Sequence, residues 1–569
     1  MNGEAFGIAS TVDGVDDGAD GLFTAADLDA DWISSSATKI TLSDSGSTIN
    51  GNGAYVYDGD VYIVYPGHYV LTGELTDGSV VVTASKTDKI WICLDAAALH
   101  CEDSAAIRIE QADKVFLTLA DGTKSTISSG SQYDADIAAS GVDGAIYSRD
   151  DLTINGSGAL EVSAAYKHGI VCNDSLAITG GDITVSAAQD GIHANDSVRI
   201  RDAAITISAG DDGITVSNDD ETASFYIASG SILIPSCYEG LEAADITIAG
   251  GTIGIAPTDD GINANGSGAR SVIRITGGDI AIVNADGRDA DGLDSNGSIY
   301  IEGGRVLISV SGAGSNCAID YGSENGGECI ISGGTVIACG GSTMAEGFDS
   351  SSTQGFLMYN TSAAAGTAIT LADSAGRELL SAEIPCSFSS AVLSAPGMQV
   401  GDVCLVTIGD VQEQVTVDNS SASGFAAAGM FRGGMRNSGN EMAGGRGNRG
   451  GDFFTGQGDS PFDCSDRQLP EDMQPPDGMQ PPEDQSDNSQ SPSDQLSPDR
   501  GGGELSGQQN GGGKMFDRQN GFGNGGFPGE TAGGTVPAPA GIDFGSLLLL
   551  AVSSIVLLAG IAIAFKFKR

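Results

Sequence analysis

Basic residues are scarce in this chain of 569 residues. It has 26 lysines and arginines against 76 aspartates and glutamates, which gives a formal net charge of −50. Such a charge disfavours nucleic acid and anionic lipid as partners, because both would be repelled by an acidic surface. It suits the binding of cations, although a solvated acidic surface also explains much of it.

Several motifs that would mark a particular chemistry are also missing. The ten cysteines have no Cys-x-x-Cys spacing and no histidines at zinc-site spacing, which excludes the common zinc motifs. We see no Ser-His-Asp signature and no phosphate-binding loop. Cysteines such as Cys93, Cys172 and Cys329 stand among apolar residues, so we expect buried small side chains, although an even count permits disulfides outside the cell.

The chain is rich in a short phrase made of an acidic residue, a glycine and an apolar residue. Copies begin at Asp143, His168, Asp190, Asp212, Glu239, Asp260, Asp291 and Glu346, with histidine in place of the acid in one copy. A second phrase, apolar-x-Gly-Gly-x-apolar-x-apolar, recurs from Ile178, Ile248, Ile275, Ile301 and Ile331. From Gly144 to Gly292 the opening glycines are 21 to 31 residues apart, a period typical of solenoid proteins.

The apolar residues within one copy alternate, which is the period of a β-strand. They are mostly isoleucine and valine, and Gly-Gly, Asn-Asp and Asn-Gly pairs separate the runs as turns do. The repeat region carries no apolar stripe of useful length at helical spacing, which excludes a helical repeat. One coil cannot bury its inward face alone, so stacked coils must form the core. The sequence therefore predicts an all-β solenoid of the parallel β-helix type.

Composition divides the chain into successive regions. We expect a polar N-terminal segment (1–37), the β-helix (38–360), a β-rich cap (361–418), a disordered tether rich in Gly, Pro and Gln (419–540), a transmembrane helix (544–565) and a basic cytoplasmic tail (566–569). The apolar run would span roughly 33 Å, enough for a bilayer core, and the basic tail places the β-helix outside the cell. A buried core helix is the alternative. No signal peptide is visible, so we expect a truncated or misassigned start, or another export route.

Acidic residues fall into columns when the copies are aligned on their glycines. Equivalent positions of a β-helix lie about 4.8 Å apart, where carboxylates repel by about 1 kcal/mol in water and about 3–4 kcal/mol near a protein surface. A bound cation relieves this repulsion, and oxygen ligands favour calcium. The candidate calcium ligands are Asp190, Asp211, Asp212, Glu239, Asp259, Asp260, Asp291 and Asp294. The alternative is that these carboxylates splay outward and serve Asp-Gly turns without an ion.

The copies contain DGI-x-x-N, ITGG-x-I-x-I, EGLEAADITI and GDDGI in this order. In this combination they resemble a bacterial family of carbohydrate-binding parallel β-helix proteins, distantly related to pectate and other polysaccharide lyases. The resemblance covers residues 38–418. It implies a right-handed β-helix, calcium at the acidic turns, and binding of cellulose or acidic plant-type polysaccharide without cleavage.

We therefore expect a cell-surface, membrane-anchored carbohydrate-binding protein that depends on calcium or is stabilised by it. A calcium-dependent polysaccharide lyase is the first alternative, and an adhesin or structural stalk for a protein partner is the second. A lyase needs a base, but the candidates, Lys167, Arg199, Arg201, Arg274, Arg288 and Arg305, are mostly single cations on separate coils, so no catalytic residue is assigned. Sugars often stack on exposed aromatic rings, for which Trp91, Tyr147, Tyr300 and Tyr321 are candidates. The alternative for each of them is packing in the core or on the surface.

Overall fold

The computed structural model describes residues 21–32, 36–267, 270–285, 290–312, 315–420 and 423–424. The predicted membrane span, the basic tail and almost all of the predicted tether lie outside these residues. Among the residues described, no helix is long and apolar enough to cross a membrane. The helical segments in the described ranges are short: Ala25–Leu28, Ala135–Ala139 and the 3-10 turn Ser323–Asn325.

Strands from successive coils stack into three columns, which we call sheets 1, 2 and 3 in the order in which a coil visits them. Neighbouring strands within them are parallel, except that Ala54–Tyr57 pairs with Asp60–Ile63 in the antiparallel direction. Sheet 1 contains Ala54–Tyr57, Asp60–Ile63, Val80–Thr83, Ile107–Gln111, Gly144–Ser148, His168–Cys172, Ile192–Ala194, Ile214–Val216, Leu241–Ala243, Ile262–Ala264, Leu293–Ser295 and Ile319–Tyr321. Sheet 2 contains Lys114–Leu119, Asp151–Gly156, Ser175–Ile178, Ser197–Ile200, Ser224–Ile227, Asp245–Ile248, Val272–Ile275, Ser298–Ile301 and Cys329–Ile331. Sheet 3 contains Lys124–Ser129, Ala159–Ala164, Asp182–Ala187, Ala204–Ala209, Ser231–Cys237, Thr252–Pro257, Asp279–Asn284, Arg305–Val310 and Thr335–Gly340.

Sheets 2 and 3 merge at the N-terminal end through one long strand, Lys89–Cys101. Its first half pairs with Lys114–Leu119 and its second half pairs with Lys124–Ser129. Three further strands precede it. Gly67–Leu75 pairs with Thr38–Leu42 in parallel, and Thr38–Leu42 pairs with Thr48–Asn50 in the antiparallel direction. The prediction of an all-β parallel solenoid is confirmed, with about ten coils.

Aliphatic side chains at equivalent positions form the core. In sheet 1, Ile170 pairs with Ile192, and Ile192 pairs with Ile214. All three side chains are fully buried, as are Leu241, Ile262, Leu293 and Ile319 further along the same column. Burial of such a side chain stabilises a fold by about 1.5–3 kcal/mol, so the stack compensates for the small apolar area within each coil.

The glycine of the acidic phrase is required by the close approach of neighbouring coils. A Cβ atom at Gly261 would lie 2.5 Å from the carbonyl oxygen of Gly292, and one at Gly213 would lie 2.6 Å from that of Gly240. Any side chain there would push the coils apart. The acidic residue before each glycine is therefore held close to its counterpart in the next coil.

An antiparallel extension follows the last coil. Phe388–Ser394 pairs with both Thr335–Gly340 and Phe356–Ala363, and the latter also pairs with Ser423–Gly424. A separate four-stranded antiparallel sheet is formed by Glu378–Ile384, Thr367–Asp373, Val403–Ile408 and Val411–Thr416. Phe356 and Met358 join the core of the β-helix, so this extension covers apolar side chains that another coil would otherwise cover.

Part of the polar N-terminal segment packs against the outer face of sheet 2. Thr24 caps the helix Ala25–Leu28 through a capping box with Asp27. The Asp27 side chain is almost completely buried, with Oδ1 lying 2.8 Å from Lys114 Nζ and accepting a 2.6 Å hydrogen bond from Thr153 Oγ1. These contacts join positions far apart in the chain, which is why the composition of residues 1–37 did not reveal them.

The same segment continues a stack of aromatic rings. Trp32 lies against His68 at 5.1 Å between ring centroids, His68 against Trp91 at 4.8 Å, and Trp91 against Phe116 at 5.1 Å. Trp32 Nε1 also donates to Thr118 Oγ1 at 2.8 Å. Trp91 therefore packs between other rings, which supports the packing role that the sequence left open.

Candidate functional site

The acidic phrases of successive coils meet at the corner that leads into sheet 1. We call Asp190, Asp212, Glu239, Asp260 and Asp291 the acidic column. The backbone N–H of Glu239 donates to Asp212 Oδ1 at 2.9 Å, and that of Asp291 donates to Asp260 Oδ1 at 2.7 Å. In both cases a carboxylate oxygen accepts a hydrogen bond from the backbone of the next coil, and this bond fixes the side chain at the corner.

Further acids surround the column. Asp211 and Asp259 directly precede two of its members, and Asp294 lies on the outer face of sheet 1 in register with Asp320. The structure thereby brings all eight predicted ligands to one corner. Among the described residues, the sets with possible ligand atoms within 4.8 Å of one another include Asp190 with Asp211 and Asp212, Asp212 with Glu239 and Glu242, and Glu239 with Asp259 and Asp260.

The electrostatics of the middle of the column favour protons or a cation. Burial, followed by repulsion from Glu242, raises the pKa of Asp212 and of Glu239. Burial, followed by the charges of Asp294 and Asp291, raises the pKa of Asp260. Within the described ranges, no lysine or arginine forms an ion pair with Asp212, Glu239 or Asp260. A divalent cation would neutralise these carboxylates in their ionised form.

Asp190, at the N-terminal end of the column, behaves differently. Burial alone would raise its pKa, but hydrogen bonds from His168 and His193 and the charges of the two imidazoles outweigh burial and lower it. Asp190 Oδ2 lies 3.1 Å from His168 Nδ1 and 2.9 Å from His193 Nδ1. This carboxylate therefore stays ionised at neutral pH.

A cleft of about 460 Å³ lies beside the C-terminal end of the column. Its lining includes Asp260, Asp291, Asp294, Asp320, Tyr321 and Glu324. The Tyr321 hydroxyl donates to Asp349 Oδ1 at 3.1 Å. Carboxylates that converge on an open cleft, next to an aromatic ring, can coordinate cations and hold a polyhydroxylated ligand.

Asp320 was missed by the sequence reasoning because its coil lacks the acidic phrase, whereas Tyr321 was among the aromatic candidates. Gly292 N donates to the Cys317 carbonyl, as Gly261 N does to the Asp291 carbonyl, so Cys317 takes the place of the acid. The copy at Glu346, which the alignment placed in the column, follows the last strand of sheet 1. There Asp349 accepts from the backbone N–H of Cys329. The first copy is also shifted by one residue relative to the second, because Gly144 pairs with His168 and not with Gly169.

Among the aromatic candidates, Tyr147 is 1% exposed, so it cannot hold a sugar. Tyr300 lies on sheet 2 below Arg274, 4.6 Å from ring centroid to guanidinium carbon. Tyr238, which the sequence reasoning missed, is 49% exposed and comes directly before Glu239. Interaction with Asp259, followed by burial, raises the pKa of its hydroxyl. The only sequence signal for it is a tyrosine next to an acidic phrase.

The candidate bases for lyase chemistry are dispersed. Lys167 lies 3.3 Å from Asp143, and Arg201 lies 3.1 Å from Asp202. Arg199 donates to the Leu22 carbonyl. Arg274 pairs with Glu302, and Arg305 pairs with Asp279. None of these cations lines the cleft, and Arg288 lies outside the described residues.

The chain is similar to proteins described as carbohydrate-binding domain-containing or polysaccharide lyase-like. A relative in Acetivibrio thermocellus described as a carbohydrate-binding domain-containing protein is 35% identical over 139 residues, which cover 24% of this chain and 49% of the relative. The chain thus matches about half the length of this curated relative. A solved structure, the gadolinium derivative of the polysaccharide lyase-like protein from C. thermocellum, is 29% identical with a TM-score of 0.36, over 52% of this chain and 99% of that one.

The family model described as carbohydrate-binding domain-containing protein matches residues 57–314 and 226–356. Together these matches span more than half of the 569 residues and include the whole acidic column and the cleft. The chain belongs to the family of carbohydrate-binding domain-containing proteins.

Proposed function

We propose that this protein holds acidic polysaccharide at the outer face of a membrane without cleaving it, through calcium ions bound along the acidic column. The observation that carries the proposal is the cleft, where Asp260, Asp291, Asp294 and Asp320 converge beside Tyr321. Calcium takes about six to eight oxygen ligands. An ion held by the carboxylates of such an open cleft retains coordination positions for oxygens of a glycan.

The charge balance favours an acidic glycan that binds through cations. A polyuronate would be repelled by a chain of net charge −50, and bound calcium reverses the sign of this interaction at the site. Neutral cellulose would instead bind by stacking on exposed rings and by hydroxyl hydrogen bonds. The dependence of binding on calcium therefore separates the two glycans.

The sequence outside the described residues supports anchoring. The uncharged run 544–565 followed by Lys566, Lys568 and Arg569 has the length and charge pattern of a single membrane span with a cytoplasmic C-terminus. The Gly- and Pro-rich residues 419–540 would let the β-helix reach beyond the membrane. Many anchored copies on one surface would add avidity to each weak contact.

The test is retention of the full-length protein, in detergent, on insoluble pectate and on cellulose, with calcium or with chelator. We expect retention on pectate in calcium and its loss in chelator. Asp294→Asn with Asp320→Asn should weaken retention at least tenfold, whereas Asp182→Asn, an exposed acid of sheet 3, removes one charge elsewhere and should not.

Ultraviolet absorbance is followed in the same experiment, because lyase action creates an unsaturated uronate. Growing absorbance would replace the binding proposal with a lyase. Absence of both retention and absorbance would reject the glycan and favour a protein partner. Retention on cellulose but not on pectate, with no effect of calcium, would reject both the acidic glycan and the calcium ion that bridges it to the protein.

Tyr238→Ala is expected to weaken pectate binding about tenfold, equivalent to about 1.4 kcal/mol. Its exposed ring lies beside the acidic column and offers a sugar a stacking surface. Tyr238→Phe retains the ring and should bind nearly as the parent does. Tyr300→Ala is the matched control on sheet 2. Equal affinities of the parent and Tyr238→Ala, measured by titration with oligogalacturonate, would remove this ring from the binding site.

A further inference from the structure

Two of the four histidines of this chain meet at the N-terminal end of the acidic column. His168 comes from one coil, whereas Asp190 and His193 come from the next. The imidazole centroids are 5.0 Å apart. Both Nδ1 atoms face the same oxygen, Asp190 Oδ2, at 3.1 Å and 2.9 Å. Two nitrogens and one oxygen thus converge on one point.

The two distances to Asp190 Oδ2 fit a small divalent ion, and all three atoms lie within 4.8 Å of one another. Zinc binds imidazole nitrogen and carboxylate oxygen at about 2.0–2.2 Å, which sets tetrahedral ligand atoms roughly 3.3 Å apart. The other oxygen, Asp190 Oδ1, accepts from the backbone N–H of Asp212 at 3.3 Å. That bond fixes the carboxylate in the orientation that presents Oδ2 to both rings.

The surroundings also match a metal centre with one open side. The side chains of Asp190, His168 and His193 are 7%, 13% and 26% exposed, so solvent or a ligand reaches the site mainly past His193. Asp143 Oδ2 lies 3.9 Å from His168 Nε2, the ring nitrogen turned away from Asp190. A carboxylate near the second nitrogen of a metal-binding histidine raises its basicity and orients the ring.

The backbone before His168 is in an unusual conformation. Lys167 has φ of 48°, in the left-handed region that residues with a Cβ atom rarely adopt. Strained residues of this kind are found where the surrounding structure holds a side chain in a required position. Here the strained residue directly precedes the histidine that faces Asp190.

The donor set separates this corner from the rest of the column. Calcium takes oxygen ligands, which Asp212, Glu239 and Asp260 offer. Imidazole nitrogens favour zinc, nickel, cobalt and copper. We propose that His168, Asp190 and His193 bind one divalent transition metal ion, of the zinc class, at the end of the acidic column. The site retains one open coordination position.

The experiment uses the full-length protein, freed of metal by chelator, and cobalt(II) as the spectroscopic probe. We expect one cobalt per chain with the intense visible bands of tetrahedral nitrogen and oxygen ligation, displaced by zinc but not by calcium. His168→Gln and His193→Gln should each weaken cobalt binding at least tenfold. His100→Gln, a surface histidine paired with Glu102, should bind as the parent does, and so should Asp294→Asn in the cleft.

Circular dichroism of each variant confirms that the fold is intact. Unchanged cobalt affinity in both histidine variants would overturn the proposal, as would weak octahedral spectra that calcium abolishes. The same holds if no cobalt binds, which would leave the two imidazoles as hydrogen-bond partners of Asp190, whose backbone N–H also donates to His168 Nδ1 at 3.3 Å. Because the readout is the cobalt spectrum, the result does not depend on whether the protein binds glycan.

Discussion

Chelation of calcium is expected to lower the thermal midpoint of the β-helix, and the loss is expected to grow as the pH rises. A ligand present at a hundredfold its dissociation constant stabilises the native state by about 2.7 kcal/mol per site. In the absence of an ion, burial and like charges raise the pKa values of Asp212, Glu239 and Asp260. The folded state therefore holds protons that the unfolded chain has released.

The sign of the pH effect follows from this difference. When the folded pKa exceeds the unfolded pKa, the stability is fully present below the unfolded value of about 4 and declines as the pH rises above it. Calcium replaces the protons, so its stabilising effect increases over the same range. Thermal melts at about pH 5 and about pH 8, each with calcium and with chelator, measure both effects.

Asp260→Asn provides an internal check on this account. Asparagine retains an oxygen that can accept the hydrogen bond from the backbone N–H of Asp291, as Asp260 Oδ1 does at 2.7 Å, but it cannot ionise, so its folding requires no uptake of a proton. The variant should be more stable than the parent in chelator and gain less from calcium. Asp182→Asn should match the parent in both. A midpoint that ignores both calcium and pH would contradict the calcium proposal and favour splayed, solvated carboxylates.

Asp27→Ala is expected to reduce the free energy of unfolding by about 3–5 kcal/mol, because it leaves a buried cation without its partner. Lys114 Nζ lies 2.8 Å from Asp27 Oδ1, and the lysine side chain is 10% exposed. The remaining acid near it, Asp151, is 4.0 Å away. Thr153 would also lose the acceptor of its hydroxyl hydrogen bond.

Urea unfolding of the full-length protein measures this loss. Asp29→Ala removes an exposed carboxylate two residues away, whose side chain accepts only from Asp31 N–H among the bonds described, and should cost little.

Burial opposes ionisation of Asp27, but hydrogen bonds from Lys114 and Thr153 lower its pKa to about 2. Its stabilising effect is therefore present above the ordinary carboxyl range and lost as the pH falls towards about 2. A loss of unfolding free energy below about 1 kcal/mol in Asp27→Ala would contradict the prediction, because it would mean that Lys114 does not depend on Asp27 as its buried partner.

The fold and much of the candidate site could be predicted from local repetition. The alternating Ile and Val residues, the Gly-Gly turns and the acidic phrases each recur within one coil, so their spacing in the chain translates directly into stacking. Asp190, Asp212, Glu239, Asp260 and Asp291 therefore meet as the alignment predicts. The glycine after each acid is explained by backbone contact between coils, as at Gly261, where a Cβ would lie 2.5 Å from a carbonyl oxygen.

Only the tertiary structure decided where the repetition fails. Asp320 enters the cleft through a coil in which Cys317 and Ala318 stand in for the acid and the glycine, because backbone pairing preserves the register without the phrase. Asp27 meets Lys114 across the outer face of sheet 2, a contact between positions that share no repeat. His168 and His193 occupy different positions in their copies and converge on Asp190 because adjacent coils bring the two columns together. Periodicity determines which equivalent residues stack, whereas contacts between non-equivalent residues depend on the packed backbone and side chains.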